Sequence, residues 1–172
     1  MEEKSRTTIL EASNLSVSFD TDAGEVQAVR NVRLSLKEGE VLAIVGESGC
    51  GKSVLCKSLM KMLPGNARIK SGKILANGID ITGYKERDMA KLRGTLFSMV
   101  FQDPMTALNP TMTIGKQIEE AIKIHDPHMK RDALEKRVIE LMELVGIDQA
   151  GDRMKLYPYH FSGGMRQRSV LA

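Results

Sequence analysis

The sequence contains no tryptophan, only 3 tyrosines and 4 phenylalanines, and just 2 cysteines in 172 residues. Cys50 and Cys56 lie in one segment, with neither the number nor the spacing of a disulfide framework or a zinc site, so both read as free thiols. No apolar run approaches the ~18 residues of a membrane span, and the polar start, residues 1–8, lacks the apolar centre of a secretion signal. The expectation is a cytoplasmic protein. Excess charge of one sign is missing too: 25 Lys plus Arg against 22 Asp plus Glu leave a dispersed net charge of +3. That balance excludes the broad basic surface of a nucleic-acid binder. His125, His128 and His160 form no metal-ligand pattern. With aromatics scarce, the core must rest on aliphatic residues and on the 11 methionines, which fill irregular space. There are no internal repeats and no low-complexity tracts, and the length suits one compact unit with a subdomain.

What the chain does have is Gly46-Glu47-Ser48-Gly49-Cys50-Gly51-Lys52-Ser53. An apolar run, Val41-Leu42-Ala43-Ile44-Val45, precedes it and predicts a buried strand. From Val54 to Leu63, apolar residues at 55, 59, 62 and 63 predict a helix. Strand, glycine loop and helix together make the Gly-x-x-x-x-Gly-Lys-Ser pattern a phosphate site. Glycines let successive N–H groups turn toward one anion, and the helix start adds its positive end. Lys52 would carry charge to the terminal phosphates, and the Ser53 hydroxyl would be a ligand for Mg²⁺. Cys50, in a loop at a helix start, is either a thiol of lowered pKa or a small loop filler.

Alternation predicts two half-buried, antiparallel strands over residues 9–19 and 26–36, joined by a polar turn with Gly24. Phe19 ends the first of them, on the approach to the phosphate loop; it is either core or a surface for a base. Asn77-Gly78, between Lys73-Ile74-Leu75-Ala76 and Ile79-Asp80-Ile81, predicts a hairpin with a two-residue turn. Residues 84–93 read as a short exposed helix, and residues 96–101 as another buried strand. Gln102 follows at the strand's carboxyl end, where α/β sheets bind ligands. Beyond Thr113 the pattern turns helical: residues 114, 118, 121 and 122 mark one amphipathic helix, and residues 134–145 a second that stops at Gly146. The predicted division is residues 1–102, an antiparallel β subdomain with the first part of the phosphate-loop core, and residues 103–172, a helical subdomain. Near the end, Ser162 is a good N-cap before Gly163 and Gly164; this is either an ordinary capped helix or a second anion-binding helix start.

In order and spacing, the phosphate loop, Gln102 and Ser162-Gly163-Gly164 resemble the ATP-binding subunits of ABC transporters. The wording of residues 46–49, 100–110 and 161–168 is similar to the oligopeptide and dipeptide import branch, with which nickel and glutathione importers share much. The resemblance implies an α/β fold, a P-loop NTPase of the ABC nucleotide-binding type with an antiparallel β subdomain and a helical subdomain. It implies ATP and Mg²⁺ as ligands, with Gly46, Glu47, Ser48, Gly49, Cys50, Gly51, Lys52, Ser53 and Val54 as the triphosphate cradle. Ser53 and Gln102 would be the Mg²⁺ ligands, and Phe19 the aromatic against adenine. Ser162, Gly163 and Gly164 would face the nucleotide of a second ATP-binding subunit, the same or a related chain. Transmembrane permease subunits would hold the pair at the inner face of the membrane. Tyr159-His160 departs from the branch, which more often has His followed by Gln or Glu. The family's later strand, with its Mg²⁺-associated Asp and water-activating Glu, has no counterpart in the sequence. The resemblance therefore implies the amino-terminal, C-terminally truncated part of a transport ATPase, without hydrolysis residues of its own. A self-standing nucleotide-binding or interaction module without ATPase activity is the alternative.

Overall fold

Alternating apolar and polar residues become a long antiparallel hairpin in the computed structural model, which describes residues 6–101 and 107–172. Strand β1 (Thr8–Thr21) pairs with β2 (Gly24–Lys37) from Thr8 opposite Lys37 to Thr21 opposite Gly24. The turn is closed by Thr21 Oγ1, which donates to the Gly24 carbonyl at 2.7 Å. On its other edge β1 pairs with β3 (Ala67–Ala76), which turns through Asn77-Gly78 into β4 (Ile79–Asp80), so the sheet order is β2-β1-β3-β4. Asn77 and Gly78 both have positive φ, as the tight hairpin turn requires.

One face of this sheet, with Leu15, Val17, Val29 and Ile74, packs with Leu55 and Leu59 of helix α1 (Lys52–Leu59) and Met89 of α2 (Glu86–Leu92). Each such buried side chain contributes about 1.5–3 kcal/mol relative to exposure. The sheet and these two helices belong to one compact unit, Met1–Phe97.

Helix α1 is shorter than its apolar spacing predicts. It ends at Leu59 because Lys61 takes the left-handed conformation, φ 51°. Lys61 N–H bonds to the Ser58 carbonyl and Met62 N–H to that of Lys57. That is the Schellman stop, in which glycine usually stands at the left-handed position. Lys61 holds it by donating from Nζ to the carbonyls of Thr82 (2.7 Å) and Tyr84 (2.5 Å), and burial lowers its pKa. Arg93 ties down the same helix end: Nη2 donates to the carbonyls of Met60 (3.2 Å) and Lys61 (3.1 Å). Its guanidinium also pairs with Glu86, whose carboxyl it holds below the usual range.

Two apolar runs that predict strands do not form them. Residues 41–45 are irregular, with Val41 94% and Val45 90% exposed. Residues 96–101 contain only an isolated bridge from Phe97 to Arg93 and leave Leu96, Val100 and Phe101 exposed. A strand is stable only when its N–H and C=O groups meet a ladder. None is offered to either run among the described residues.

The second compact unit, Ser98–Ala172, is helical: α3 (Ile114–His125), α4 (Arg131–Leu144), α5 (Ala150–Arg153), a 3-10 turn at Pro158–His160, and α6 (Gly163–Leu171). Helices α3 and α4 carry the amphipathic patterns expected of them. Ile114, Ile118, Val138, Met142, Ile147 and Phe161 form the core. Helix α4 stops before Gly146, where Ile147 N–H reaches back to the Met142 carbonyl at 2.9 Å.

Candidate functional site

Residues 46–51 are a turn-rich loop leading into α1. At its end Gly51 has φ 96°, and a Cβ there would stand 2.4 Å from the Ala28 carbonyl oxygen of β2. The loop is thus pressed onto the sheet where only glycine fits. Lys52 folds back across the loop mouth: Nζ donates to the carbonyls of Gly46 (2.8 Å) and Glu47 (2.5 Å) and lies 3.6 Å from Cys50 Sγ. The N–H groups of Lys52, Ser53 and Val54 have no acceptor within α1. Gly51, as N-cap, has no side chain to satisfy them. Ser53 is exposed, as are Glu47, Ser48, Gly49 and Cys50, and Gly46 opens the loop.

These groups fit a polyphosphate carrying Mg²⁺. Free N–H donors, the positive end of a helix and an ammonium suit phosphate oxygens, and a hydroxyl suits a hard cation. Beside the loop, an open cleft of about 590 Å³ is lined by Val26, Arg30, Ile44, Val45, Cys50 and Lys52 among others, with no carboxylate among the described residues that line it. Arg30 is a cation at this cleft that sequence reasoning missed. Alternation puts it on the outward side of β2, next to buried Val29, but does not say which loop that side meets.

Phe19 is half-buried in the central strand, opposite Val26 on one side and Ala67 on the other. Its cross-strand neighbour Val26 lines the cleft. Gln102 lies outside the described residues. Ser162, Gly163 and Gly164 stand exposed at the start of α6, in the helical unit. Ser162 Oγ accepts from Met165 N–H at 3.3 Å, and Arg166 N–H bonds to the Ser162 carbonyl at 2.9 Å. The N–H groups of Gly163 and Gly164 have no intrahelical acceptor. A Cβ on Gly163 would meet nothing within 4 Å, so the helix start is open to close approach.

Two outcomes follow from this geometry. Ser162→Ala is expected to cost the helical unit about 1 kcal/mol through loss of the cap, read from urea unfolding; no change would mean that the cap carries no weight. Cys50 is exposed, whereas Cys56 is half-buried on α1. A maleimide should therefore label Cys50 first, and Mg-ATP should slow that reaction selectively. Mass spectrometry of the labelled chain showing equal rates with and without nucleotide would remove Cys50 from the site.

An antiparallel sheet, a phosphate loop at the start of α1 and a helical unit with an open helix start are the parts of an ATP-binding cassette. A solved dimeric cassette in a post-hydrolysis state with ADP and Pi matches with a TM-score of 0.79 at 23% identity, covering 95% of this chain and 67% of that chain. The chain belongs to the ABC transporter family, whose model matches residues 29–172. It is 50% identical over 165 residues to the dipeptide transport ATP-binding protein DppD of Bacillus subtilis, covering 95% of this chain and 49% of that protein. To the oligopeptide transport ATP-binding protein OppD of the same organism it is 49% identical, covering 96% of this chain and 46% of that protein. The corresponding OppD of Escherichia coli is 44% identical, with 95% and 48% covered. The chain spans about half the length of the curated relatives it matches.

Proposed function

We propose that this chain acts in the ATP-binding subunit of an ABC importer, coupling ATP binding and hydrolysis in the full assembly to uptake of dipeptides or oligopeptides. The observation that carries this is the open start of α1, with Lys52 at the loop mouth. It occurs in a chain half identical to peptide-transport ATP-binding proteins. In this reading two ATP-binding subunits, identical or related, close head to tail. Ser53 and Gln102 hold Mg²⁺, Phe19 supports adenine, and Ser162, Gly163 and Gly164 of one subunit meet the nucleotide of the other. A ligand that binds the closed pair better than the open one shifts the pair toward closure, and permease subunits at the inner face of the membrane follow. No helix among the described residues is long and apolar enough to cross a membrane; passage of the peptide belongs to the permeases.

We propose further that the chain alone binds ATP weakly or not at all and does not turn it over. The approach to its phosphate loop, residues 41–45, pairs with no strand among the described residues, so ordering the loop costs conformational entropy on binding. Among the described residues no carboxylate lines the cleft to take a proton from water. The same observation favours a second reading, a nucleotide-binding module that never hydrolyses.

A chimera separates the two. This chain replaces the matching residues of Bacillus subtilis DppD in cells lacking that subunit, and uptake of a labelled dipeptide is measured. The importer reading expects uptake to return and to vanish with Lys52→Ala. A chimera that is made and reaches the membrane, yet supports no uptake, would leave the module reading standing.

A further inference from the structure

A second cleft, of about 560 Å³, lies wholly within the helical unit, between α3, α4 and the chain that follows α5. That is the size of a small-molecule site. Four cations line it, Lys116, Lys123, Arg131 and Lys155, against two carboxylates, Glu119 and Glu135. Lys123 is paired, with Nζ 3.5 Å from Glu119 Oε2. Lys116, Arg131 and Lys155 have no ion-pair partner among the described residues, although Glu135 stands one turn from Arg131 on α4.

The fold sets where these charges stand. Lys116 and Lys123 share one face of α3, about 10 Å apart along its axis. Lys155 lies between Met154 and Leu156, whose carbonyls accept from Gly115 N–H at 2.8 Å and Ile114 N–H at 2.9 Å. Gly115 permits that approach, since a Cβ there would stand 2.8 Å from the Met154 carbonyl oxygen. Lys155 is thereby held at the start of α3, while Arg131 opens α4. The floor between them is apolar, with Leu134 and Met154 buried. Thr113 also lines the cleft; its carbonyl accepts from Gln117 N–H at 3.3 Å, but its hydroxyl makes no cap bond to α3.

Like charges gathered around one cleft repel, and these side chains are exposed, so their packing does not offset that cost. A bound anion turns the repulsion into attraction. We propose that the cleft binds a phosphorylated small molecule, with its phosphates on Lys116, Arg131 and Lys155 and its carbon skeleton over Leu134 and Met154. Arg131 supplies a planar fork and the lysines compact charges, and both suit phosphate oxygens. Cations at both ends of an elongated cleft suit a ligand with more than one phosphate. Free metabolites and phospholipid headgroups share this chemistry. The site needs nothing from the phosphate loop, because every residue named for it belongs to the helical unit.

Calorimetry with inositol hexakisphosphate tests the cleft in the Lys52→Ala chain, which lacks the ammonium of the phosphate loop. Flotation with vesicles of phosphatidylcholine and phosphatidylglycerol, against phosphatidylcholine alone, tests the lipid source. Lys116→Ala and Arg131→Ala, each added to Lys52→Ala, should each weaken binding about tenfold, as loss of one charge-assisted hydrogen bond does. The urea midpoint should stay where it is, because both side chains are exposed. Lys136→Ala removes an exposed cation of α4 that does not line the cleft, and should leave binding unchanged. Capture by the anionic vesicles that Lys116→Ala abolishes assigns the site to a headgroup. Binding of inositol hexakisphosphate without vesicle capture assigns it to a free molecule. Failure of both probes to bind overturns the site. So does a loss in Lys136→Ala equal to that in Lys116→Ala, the mark of diffuse surface charge.

Discussion

Lys52→Ala is expected to weaken Mg-ATP binding about ten- to hundredfold, the loss of one hydrogen-bonded charge at about 1.5–3 kcal/mol against about 1.4 kcal/mol per factor of ten. Without an anion, Lys52 Nζ rests on the neutral carbonyls of Gly46 and Glu47. On a triphosphate it exchanges them for charged oxygens, so the gain appears in binding far more than in folding. Calorimetry should show the affinity collapse while the urea midpoint barely moves. Lys52→Arg should not rescue it, because a planar guanidinium cannot replace a compact ammonium inside a tight loop. Unchanged affinity in Lys52→Ala would place nucleotide binding elsewhere on the chain.

Gly51→Ala should be the most damaging change in the loop, and Gly49→Ala the informative contrast. Both positions have positive φ, 96° and 79°, where a Cβ costs about 1–2 kcal/mol. Only at Gly51 does the Cβ also run into backbone, 2.4 Å from the Ala28 oxygen, whereas at Gly49 nothing lies within 4 Å. Displacing that strand adds about 1–3 kcal/mol of overpacking. The expected losses are therefore about 3 kcal/mol at Gly51 and about 1 kcal/mol at Gly49, measured by urea unfolding. Against typical stabilities of about 5–15 kcal/mol, the first is a large fraction. Equal losses at the two glycines would show that the loop is not seated on β2.

Local patterns were read correctly where the partner of each element lies close in sequence. The long hairpin, the Asn77-Gly78 turn, the end of α4 at Gly146 and the Ser162 cap all depend on residues a few positions away or on strict alternation. Residues 41–45 and 96–101 were misread because an apolar run states only that it would be stable if paired, and pairing is a property of other segments. The early end of α1 was hidden for a related reason: Lys61 holds a conformation that glycine usually takes, by reaching Thr82 and Tyr84, about twenty positions on.

The candidate site divides in the same way. By itself the sequence determined the local pattern at both helix starts, glycine, lysine and serine over residues 46–53 and a Ser162 cap before Gly163 and Gly164, because their fixed spacing around a helix start dictates which donors remain free. Only the tertiary structure decided that Gly51 is wedged against Ala28, that Arg30 joins the cleft and that Tyr157 and Tyr159 stack beside a tilted His160 ring in one exposed cluster. Those features depend on the distance between atoms that the chain brings together only when β2 packs against the loop or the turn before α6 closes on itself, and residue order carries no such distance.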